Sequence, residues 1–205
     1  MIILIPDLVL NNSKKIKGPS ATDTLCQSIE SILSINANST SFNYAKKSLN
    51  YFLKNYKNYF QKPNSFNALN MQMASNFSGK AINISKTTGP HALSYYLSTK
   101  HNVPHGYAVS IFLTKFLKFN YNMMQNDKNL AKKFNLLFKI FNVKTITSLN
   151  NKIENIFKIL YNGKNFKNIL KKVDKKKLIS SVNLQRLKNN PIEVKKIDLF
   201  KILNL

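Results

Sequence analysis

The chain has 205 residues, 43% of them hydrophobic, which is enough to bury the core of one globular domain. Its formal charge of +24 would suit a nucleic acid or an anionic membrane. We expect neither partner, because lysine is spread along the whole chain together with 30 asparagines. Nucleic-acid sites favour arginine, and this chain has only one, Arg186. A single cysteine, Cys26, excludes an internal disulfide.

The chain begins with an apolar run over residues 2–10, which predicts a strand or an extended lead-in. This run is too short to span a bilayer and is interrupted by Pro6 and Asp7. It also lacks the basic leader and the cleavage site of a targeting signal. We therefore expect a soluble, cytoplasmic protein without a membrane-spanning segment.

Helical patterns dominate after residue 10. Residues 11–19 form a polar sequence with Gly18 and Pro19, which predicts a loop. The first helix is predicted to follow this loop, capped by Ser20 or Thr22, and to reach about residue 35. Cys26 falls on the apolar stripe of this helix and is predicted to be a buried thiol.

Two further helices are predicted over about residues 41–60 and 65–85. The second of these is rich in alanine, serine and glycine, whose small side chains let neighbouring backbones approach closely. We therefore expect it to lie at the centre of the bundle. Gly89 and Pro90 then end the helical pattern.

The remaining sequence also favours helices. A short helix is predicted over residues 91–99, a turn over 102–104, and a helix from His105 to about residue 120. Three or four amphipathic helices follow residue 126. Because no segment after residue 10 alternates as a strand does, the predicted fold class is all-α.

The three histidines, His91, His101 and His105, lie within fifteen residues of one another. Clustered imidazoles combined with a distant carboxylate suit iron or zinc, and Asp23 is the candidate carboxylate. Each residue alone also has a structural explanation. Asp23 could be a first-turn aspartate that favours the helix dipole, His91 a buried histidine with a satisfied hydrogen bond, and His105 a polar residue at a helix start. Together, Asp23, His91 and His105 predict a divalent metal site.

Three segments of the chain resemble the iron-containing alcohol dehydrogenases. They are Asp23-Thr-Leu-Cys-Gln27-Ser-Ile-Glu30, then Gly89-Pro-His91-Ala-Leu-Ser94 after a small-residue helix, and Pro104-His105-Gly106 fourteen residues beyond His91. Residues 5–10 and the tail from Asn189 also resemble that family. The amino-acid sequence of residues 79–88, together with Gln27, is most similar to the branch that includes phosphonoacetaldehyde reductases.

This resemblance implies a helical bundle like the C-terminal metal-binding domain of the family, which is dehydroquinate synthase-like. It implies that Asp23, His91 and His105 bind the metal, Fe(II) first and Zn(II) as the alternative. Gln27 stands where many members have a fourth ligand, histidine, and is included in the predicted ligand set.

Tyr95 and His101, in the same segment as the predicted ligands His91 and His105, are assigned to the substrate or nicotinamide pocket. Tyr95 stands where other members have a histidine near the nicotinamide, so the resemblance implies that it shapes this pocket. His101 has no counterpart with a defined role. We place it on the pocket wall or the surface.

Family members carry a nucleotide-binding α/β domain before the helical one, with a glycine-rich turn that holds the cofactor pyrophosphate. The five glycines of this chain are isolated, so the chain has no predicted pyrophosphate site. We therefore expect residues 1–10 to be a junction from a missing α/β domain and residues 11–205 to be the metal-binding domain. NAD(P)H would then reach the site through a separate nucleotide-binding chain, and a homodimer stays open.

The implied function is the interconversion of a small aldehyde, with phosphonoacetaldehyde as one candidate, and a primary alcohol by metal-assisted hydride transfer. On this reading the chain alone binds metal without turning over substrate. An alternative is an inactive, truncated remnant of such an enzyme. A third hypothesis, a basic nucleic-acid-binding module, leaves the spacing of the histidines and Asp23 unexplained.

Overall fold

The computed structural model describes residues 2–205, which form helices and loops without a strand. This confirms the predicted all-α fold class. None of the helices in this part of the chain combines the length and apolar character that crossing a membrane requires. The α-helices, with one 3₁₀ helix at Phe166–Lys171, are α1 Asp7–Leu10, α2 Lys14–Leu33, α3 Ser39–Gln61, α4 Ser65–Ser85, α5 Gly89–Lys100, α6 His105–Asn122, α7 Lys128–Phe141, α8 Ile146–Leu160, α9 Lys175–Ser180, α10 Leu184–Leu187 and α11 Lys196–Asn204.

Helix α2 is the centre of the bundle, since it contacts α3, α4, α6, α7 and α8. Its side chains Leu25, Ile29 and Ile32 are fully buried at helical spacing, and the predicted burial of Cys26 is confirmed. The prediction that α4 is central is wrong. Although α4 has the predicted bounds, it packs only on the α1, α2 and α3 side, and Gly79 on α4 is exposed.

Helix α2 begins earlier than predicted, at Lys14, so that Gly18 and Pro19 lie inside the helix rather than in a loop. A Cβ at Gly18 would lie 1.9 Å from Tyr107 Oη and 2.6 Å from the Leu160 carbonyl oxygen. Glycine is therefore required here by the contact of α2 with α6 and α8. The loop prediction failed because these two residues serve packing between helices, which a local sequence pattern does not reveal.

The C-terminal end of α2 is held by a buried lysine from α7. Lys133 Nζ donates hydrogen bonds to the carbonyl oxygens of Ser34, at 2.7 Å, and Leu33, at 3.4 Å. Burial lowers the pKa of Lys133. A positive group at a helix C-terminus also faces the negative end of the helix dipole, so this contact fixes where α2 ends.

The strand alternative for residues 2–10 is wrong, because residues 2–5 have no regular structure and α1 is a single helical turn. Backbone carbonyls of this segment bind side chains of other helices: Gln72 Nε2 donates to the Ile5 oxygen at 2.9 Å, and Lys17 Nζ donates to the Leu10 oxygen at 2.6 Å. Leu8 is 72% exposed. The origin of residues 1–10 in a missing domain stays a prediction.

The second half contains more helices than predicted, namely α7 to α11 and the 3₁₀ helix. Helices α9 and α10 have only six and four residues. Asp174 and Asn183 cap them by accepting hydrogen bonds from backbone N–H groups. Such short helices lack the repeated apolar spacing from which a longer helix is recognised.

Gly106 is expected to control the distance between α2 and α6. A Cβ at Gly106 would lie 2.0 Å from the Pro19 carbonyl oxygen and 2.9 Å from Asp23 N, whereas a Cβ at Gly79 meets nothing within 4 Å. We expect Gly106→Ala to lower the free energy of unfolding by about 1–3 kcal/mol through overpacking. Gly79→Ala, the matched control, should raise it by about 0.5–1 kcal/mol. Urea unfolding measures both, and equal effects would contradict this account.

Candidate metal centre

Three helices bring Asp23, His91 and His105 together. Asp23 lies on α2, His91 in the first turn of α5, and His105 is the first residue of α6. Asp23 Oδ1 is 3.3 Å from His91 Nε2 and 3.9 Å from His105 Nε2. One donor atom from each residue lies within 4.8 Å of the other two. Three side chains far apart in sequence thus present their donor atoms to one point.

Two glycines allow this convergence. A Cβ at Gly89, which begins α5, would lie 2.0 to 2.6 Å from ring atoms of Phe116 on α6. Gly106, next to His105, contacts the backbone of α2 beside Asp23. Any larger residue at either position would push apart the helices that carry the three side chains.

The residues fit a divalent metal. Asp23 Oδ1 is buried and has no hydrogen-bond partner, so the carboxylate has an unused lone pair on the side of the histidines. Two imidazole nitrogens and one carboxylate oxygen are ligands that iron and zinc accept. The His105 side chain is 41% exposed, whereas His91 is buried. The cluster is therefore closed by protein on one side and open on the other.

Glu30 supports His91 from behind, and the sequence analysis missed this role. Glu30 is only 1% exposed, and its Oε1 is 2.5 Å from His91 Nδ1. Its Oε2 accepts hydrogen bonds from the backbone N–H and the hydroxyl of Thr88, at 2.8 and 2.9 Å. With Nδ1 donating to Glu30, Nε2 is the ring nitrogen directed towards Asp23 and His105, and it becomes a metal ligand when its proton is lost. The available signal was that Glu30 follows Asp23 by two helical turns, on the same face of α2.

The two histidines have opposite pKa shifts. Burial alone would lower the pKa of His91, but the carboxylates of Glu30 and Asp23 outweigh burial and raise it to about 9. Burial lowers the pKa of His105, and the positive charges of His91 and Arg186 act in the same direction. In the metal-free chain, His91 is therefore the histidine that holds its positive charge to the higher pH.

The structure places Gln27 beside Asp23 but turns its oxygen away from the cluster. Gln27 Nε2 donates to Asp23 Oδ2 at 2.7 Å, and its Oε1 accepts from Ser78 Oγ at 3.0 Å. This arrangement differs from the predicted metal ligand. In it, the amide orients Asp23, so that Oδ2 is occupied and Oδ1 stays available.

Tyr95 lies at the cluster, and His101 does not. The ring centroids of Tyr95 and His105 are 6.0 Å apart, in keeping with the predicted pocket position of Tyr95. His101 follows α5 and packs on Tyr96, 5.5 Å between ring centroids. Ten residues beyond His91 along a helix is roughly 15 Å, which explains why proximity in sequence did not bring His101 to the cluster. This placement gives its predicted pocket role no support.

Arg186 is a second residue that the sequence analysis did not assign to the site. Its Nη1 donates to Thr87 Oγ1, and its Cζ lies 5.4 Å from the centre of the Tyr95 ring. Tyr95 is thus close to both Arg186 and His105. Its position at the end of the chain, on a four-residue helix, gave no signal in the sequence.

Stability of the metal-free chain is expected to fall as the pH rises from about 6.5 to about 9. The folded chain binds the His91 proton more tightly than the unfolded chain does, because the folded pKa is raised to about 9. This contribution is complete below pH 6.5 and is lost as the pH passes through 9, a loss of no more than about 3 kcal/mol. Urea unfolding at a series of pH values measures this slope.

The variant Glu30→Gln tests the origin of the slope, with His101→Gln as its control. Removal of the Glu30 charge should flatten the dependence on pH, since that carboxylate is the largest cause that raises the His91 pKa. His101→Gln should leave the slope intact because His101 packs on Tyr96, away from the cluster. An unchanged slope in Glu30→Gln would refute the assignment.

Comparison with known proteins gives relatives that share this domain. The chain is 28% identical over 129 residues to 4-hydroxybutyrate dehydrogenase of Clostridium kluyveri, a match that covers 62% of the chain and 35% of that protein. It is 25% identical over 126 residues to phosphonoacetaldehyde reductase of Streptomyces viridochromogenes, covering 61% and 32%. The matches thus span about a third of each relative.

Solved structures have the same fold. Sulfoacetaldehyde reductase from Bifidobacterium kashiwanohense, in complex with NAD+, superposes with a TM-score of 0.82 at 23% identity, covering 97% of this chain and 52% of that one. Iron-containing alcohol dehydrogenase from Thermococcus thioreducens gives 0.82 at 17% identity, covering 98% and 53%. The present chain spans about half the length of these proteins.

The family model for the C-terminal part of the Fe-containing alcohol dehydrogenases matches residues 19–205. This range includes α3 to α11 and all of α2 except its first turns. This match shows that the chain belongs to the Fe-containing alcohol dehydrogenase family and carries its C-terminal domain, in agreement with the shared fold and with the cluster of Asp23, His91 and His105.

Proposed function

We propose that this chain is the metal-binding half of an NAD(P)-dependent alcohol dehydrogenase that interconverts a small aldehyde and a primary alcohol. The observation that carries the proposal is the convergence of Asp23, His91 and His105 with a buried carboxylate oxygen that has no hydrogen-bond partner. Fe(II) is the proposed metal, with Zn(II) as the alternative.

A bound metal would supply Lewis-acid polarisation of the aldehyde carbonyl and stabilise charge on the alkoxide oxygen. Two residues of this chain, Glu30 and Gln27, orient the side chains that would hold the metal. Glu30 accepts the Nδ1 proton of His91, which leaves Nε2 as the ligand atom. Gln27 occupies Asp23 Oδ2, which directs Oδ1 towards the histidines.

The open side of the cluster is the proposed side of substrate entry. His105 is exposed there, and Tyr95 packs next to it as a wall. The substrates in the relatives' names, among them 4-hydroxybutyrate and phosphonoacetaldehyde, are short molecules, which supports a small substrate. Phosphonoacetaldehyde is accordingly the first candidate.

The nicotinamide cofactor must come from a nucleotide-binding domain. Two features support this part of the proposal: the coverage of about half of the solved relatives, and the absence of a glycine-rich turn in the sequence. We propose that a nucleotide-binding domain supplies the cofactor and docks where His105 is exposed.

Metal content is the first test. After anaerobic purification and reconstitution with Fe(II), we expect near-stoichiometric metal in the parent chain and its loss in Asp23→Ala and His91→Ala. Each substitution removes one of three ligands, and His91→Ala also leaves the Glu30 carboxylate buried without its partner. Atomic emission spectroscopy measures the metal content.

His101→Ala is the matched control for the metal test. It removes an imidazole of the same sequence cluster that lies against Tyr96 instead of the site, so metal content should stay at the parent value. Equal loss in all three variants would show that the metal is not held specifically by Asp23, His91 and His105. Absence of metal from the parent chain would favour the inactive remnant.

Activity should require the second domain. The reconstituted chain alone is expected not to oxidise NAD(P)H with phosphonoacetaldehyde or short aldehydes, since it lacks a pyrophosphate site. Addition of a matching nucleotide-binding domain in trans should restore oxidation of NAD(P)H, followed at 340 nm. Continued inactivity of a metal-loaded complex of the two chains would count against the split enzyme.

A further inference from the structure

Arg186 is the only arginine among the 32 basic residues of the chain, and it lies at the candidate site. Its side chain is partly buried, and within residues 2–205 it forms no ion pair with a carboxylate. Its one side-chain hydrogen bond is donated to Thr87 Oγ1. A partly buried positive charge without a negative partner is costly, so this guanidinium needs an explanation beyond solubility.

The backbone around Arg186 is tied to the same helix that carries His91. Asn183, the cap of α10, donates its N–H to the Ala92 carbonyl oxygen at 3.2 Å, and its side chain accepts from Arg186 N at 3.0 Å. Asn189 Nδ2 donates to the Thr87 carbonyl oxygen at 2.9 Å. The position of the guanidinium is therefore fixed relative to the first turn of α5.

The surroundings of Arg186 favour an anion. Arg186 lines a cavity of about 300 Å³ together with Gly79, Ile82, Asn83, Lys86 and Thr87, which include a second cation and no acidic residue. Lys86 has φ 62° and ψ 171°, a conformation that residues other than glycine rarely adopt. The Arg186 Cζ also lies 5.4 Å from the centre of the Tyr95 ring, and the centroid of that ring is 6.0 Å from that of His105, which brings Arg186 close to the candidate metal centre.

We propose that Arg186 recognises an anionic group at the end of the substrate opposite the aldehyde, so that the substrates are short aldehydes bearing a carboxylate or a phosphonate. This inference rests on the proposed function. The planar guanidinium can form two parallel hydrogen bonds with either anion, and it lies over the Tyr95 ring, 5.4 Å from the ring centre. A lysine ammonium cannot form such a paired contact, which distinguishes Arg186 from the other basic residues of the chain.

Ligand binding to the full chain tests the proposal directly. We would titrate 4-hydroxybutyrate, 2-hydroxyethylphosphonate and the neutral 1-butanol into the Zn(II)-loaded and the metal-free chain, and follow the Tyr95 ring by NMR. The variants are Arg186→Gln, Arg186→Lys and the control Lys188→Gln. The control also removes one positive charge two residues away, from an exposed side chain.

Arg186→Gln should weaken binding of at least one anionic ligand by about tenfold to a hundredfold, the range for a charged hydrogen-bonded pair, and leave 1-butanol unchanged. Arg186→Lys should retain part of the affinity, and Lys188→Gln all of it. Circular dichroism confirms that the variants fold. Whichever of 4-hydroxybutyrate and 2-hydroxyethylphosphonate loses more affinity in Arg186→Gln identifies whether the arginine recognises a carboxylate or a phosphonate.

Two outcomes would overturn the inference. Equal weakening of anionic and neutral ligands would show a general loss of the pocket, and equal weakening by Lys188→Gln would show only the field of the +24 chain. Failure of the proposed function is seen separately, as absence of zinc from the chain. The metal-free titration still tests Arg186 in that case.

Discussion

The structure depends on one buried interaction: His91 contacts a carboxylate of α2 through each ring nitrogen, Glu30 through Nδ1 and Asp23 through Nε2. Buried carboxylates such as that of Glu30 are tolerated in the protein interior only if a positive charge or hydrogen bonds compensate them. Without metal, the positive charge of protonated His91 offsets one of the two carboxylate charges; a metal cation held by His91 Nε2 and Asp23 would supply positive charge on that side instead. The rotation of α2 and the start of α5 are both set by this requirement, because Thr88 also binds Glu30.

Much of this site could be predicted from the sequence, since its chemistry is carried by rare residues. Asp23 is one of three acids in the first 126 residues, and two of the three histidines in the chain join it. Glu30 was missed because a buried acid on an apolar stripe gives no hint of its partner until α5 is in place. Gln27 was included as a ligand because the family resemblance places a histidine ligand at its position, whereas the structure shows it bonded to Asp23 and Ser78.

The fold was predicted well where periodicity is long and poorly where a residue acts through a distant contact. Helix α4 has the predicted bounds, because apolar and small residues repeat over 21 positions. Gly18 and Pro19 read locally as a loop, yet Gly18 makes room for Tyr107, which lies 89 positions further along the chain. Small side chains on α4 did not make it central. The central position fell to α2, whose buried face is wider.

The unusual backbone of Lys86 opposes local stability to the positive charge that this residue places beside the cavity. Glycine would adopt φ 62° and ψ 171° at less cost, and residues held in such conformations lose roughly 1–3 kcal/mol. Ser85 and Thr88 on either side bind Ser31 and Glu30 of α2, so the segment keeps this conformation. The lysine at this position therefore combines a strained backbone with an amine beside the proposed anion site, whereas glycine would relieve the strain and lose the amine.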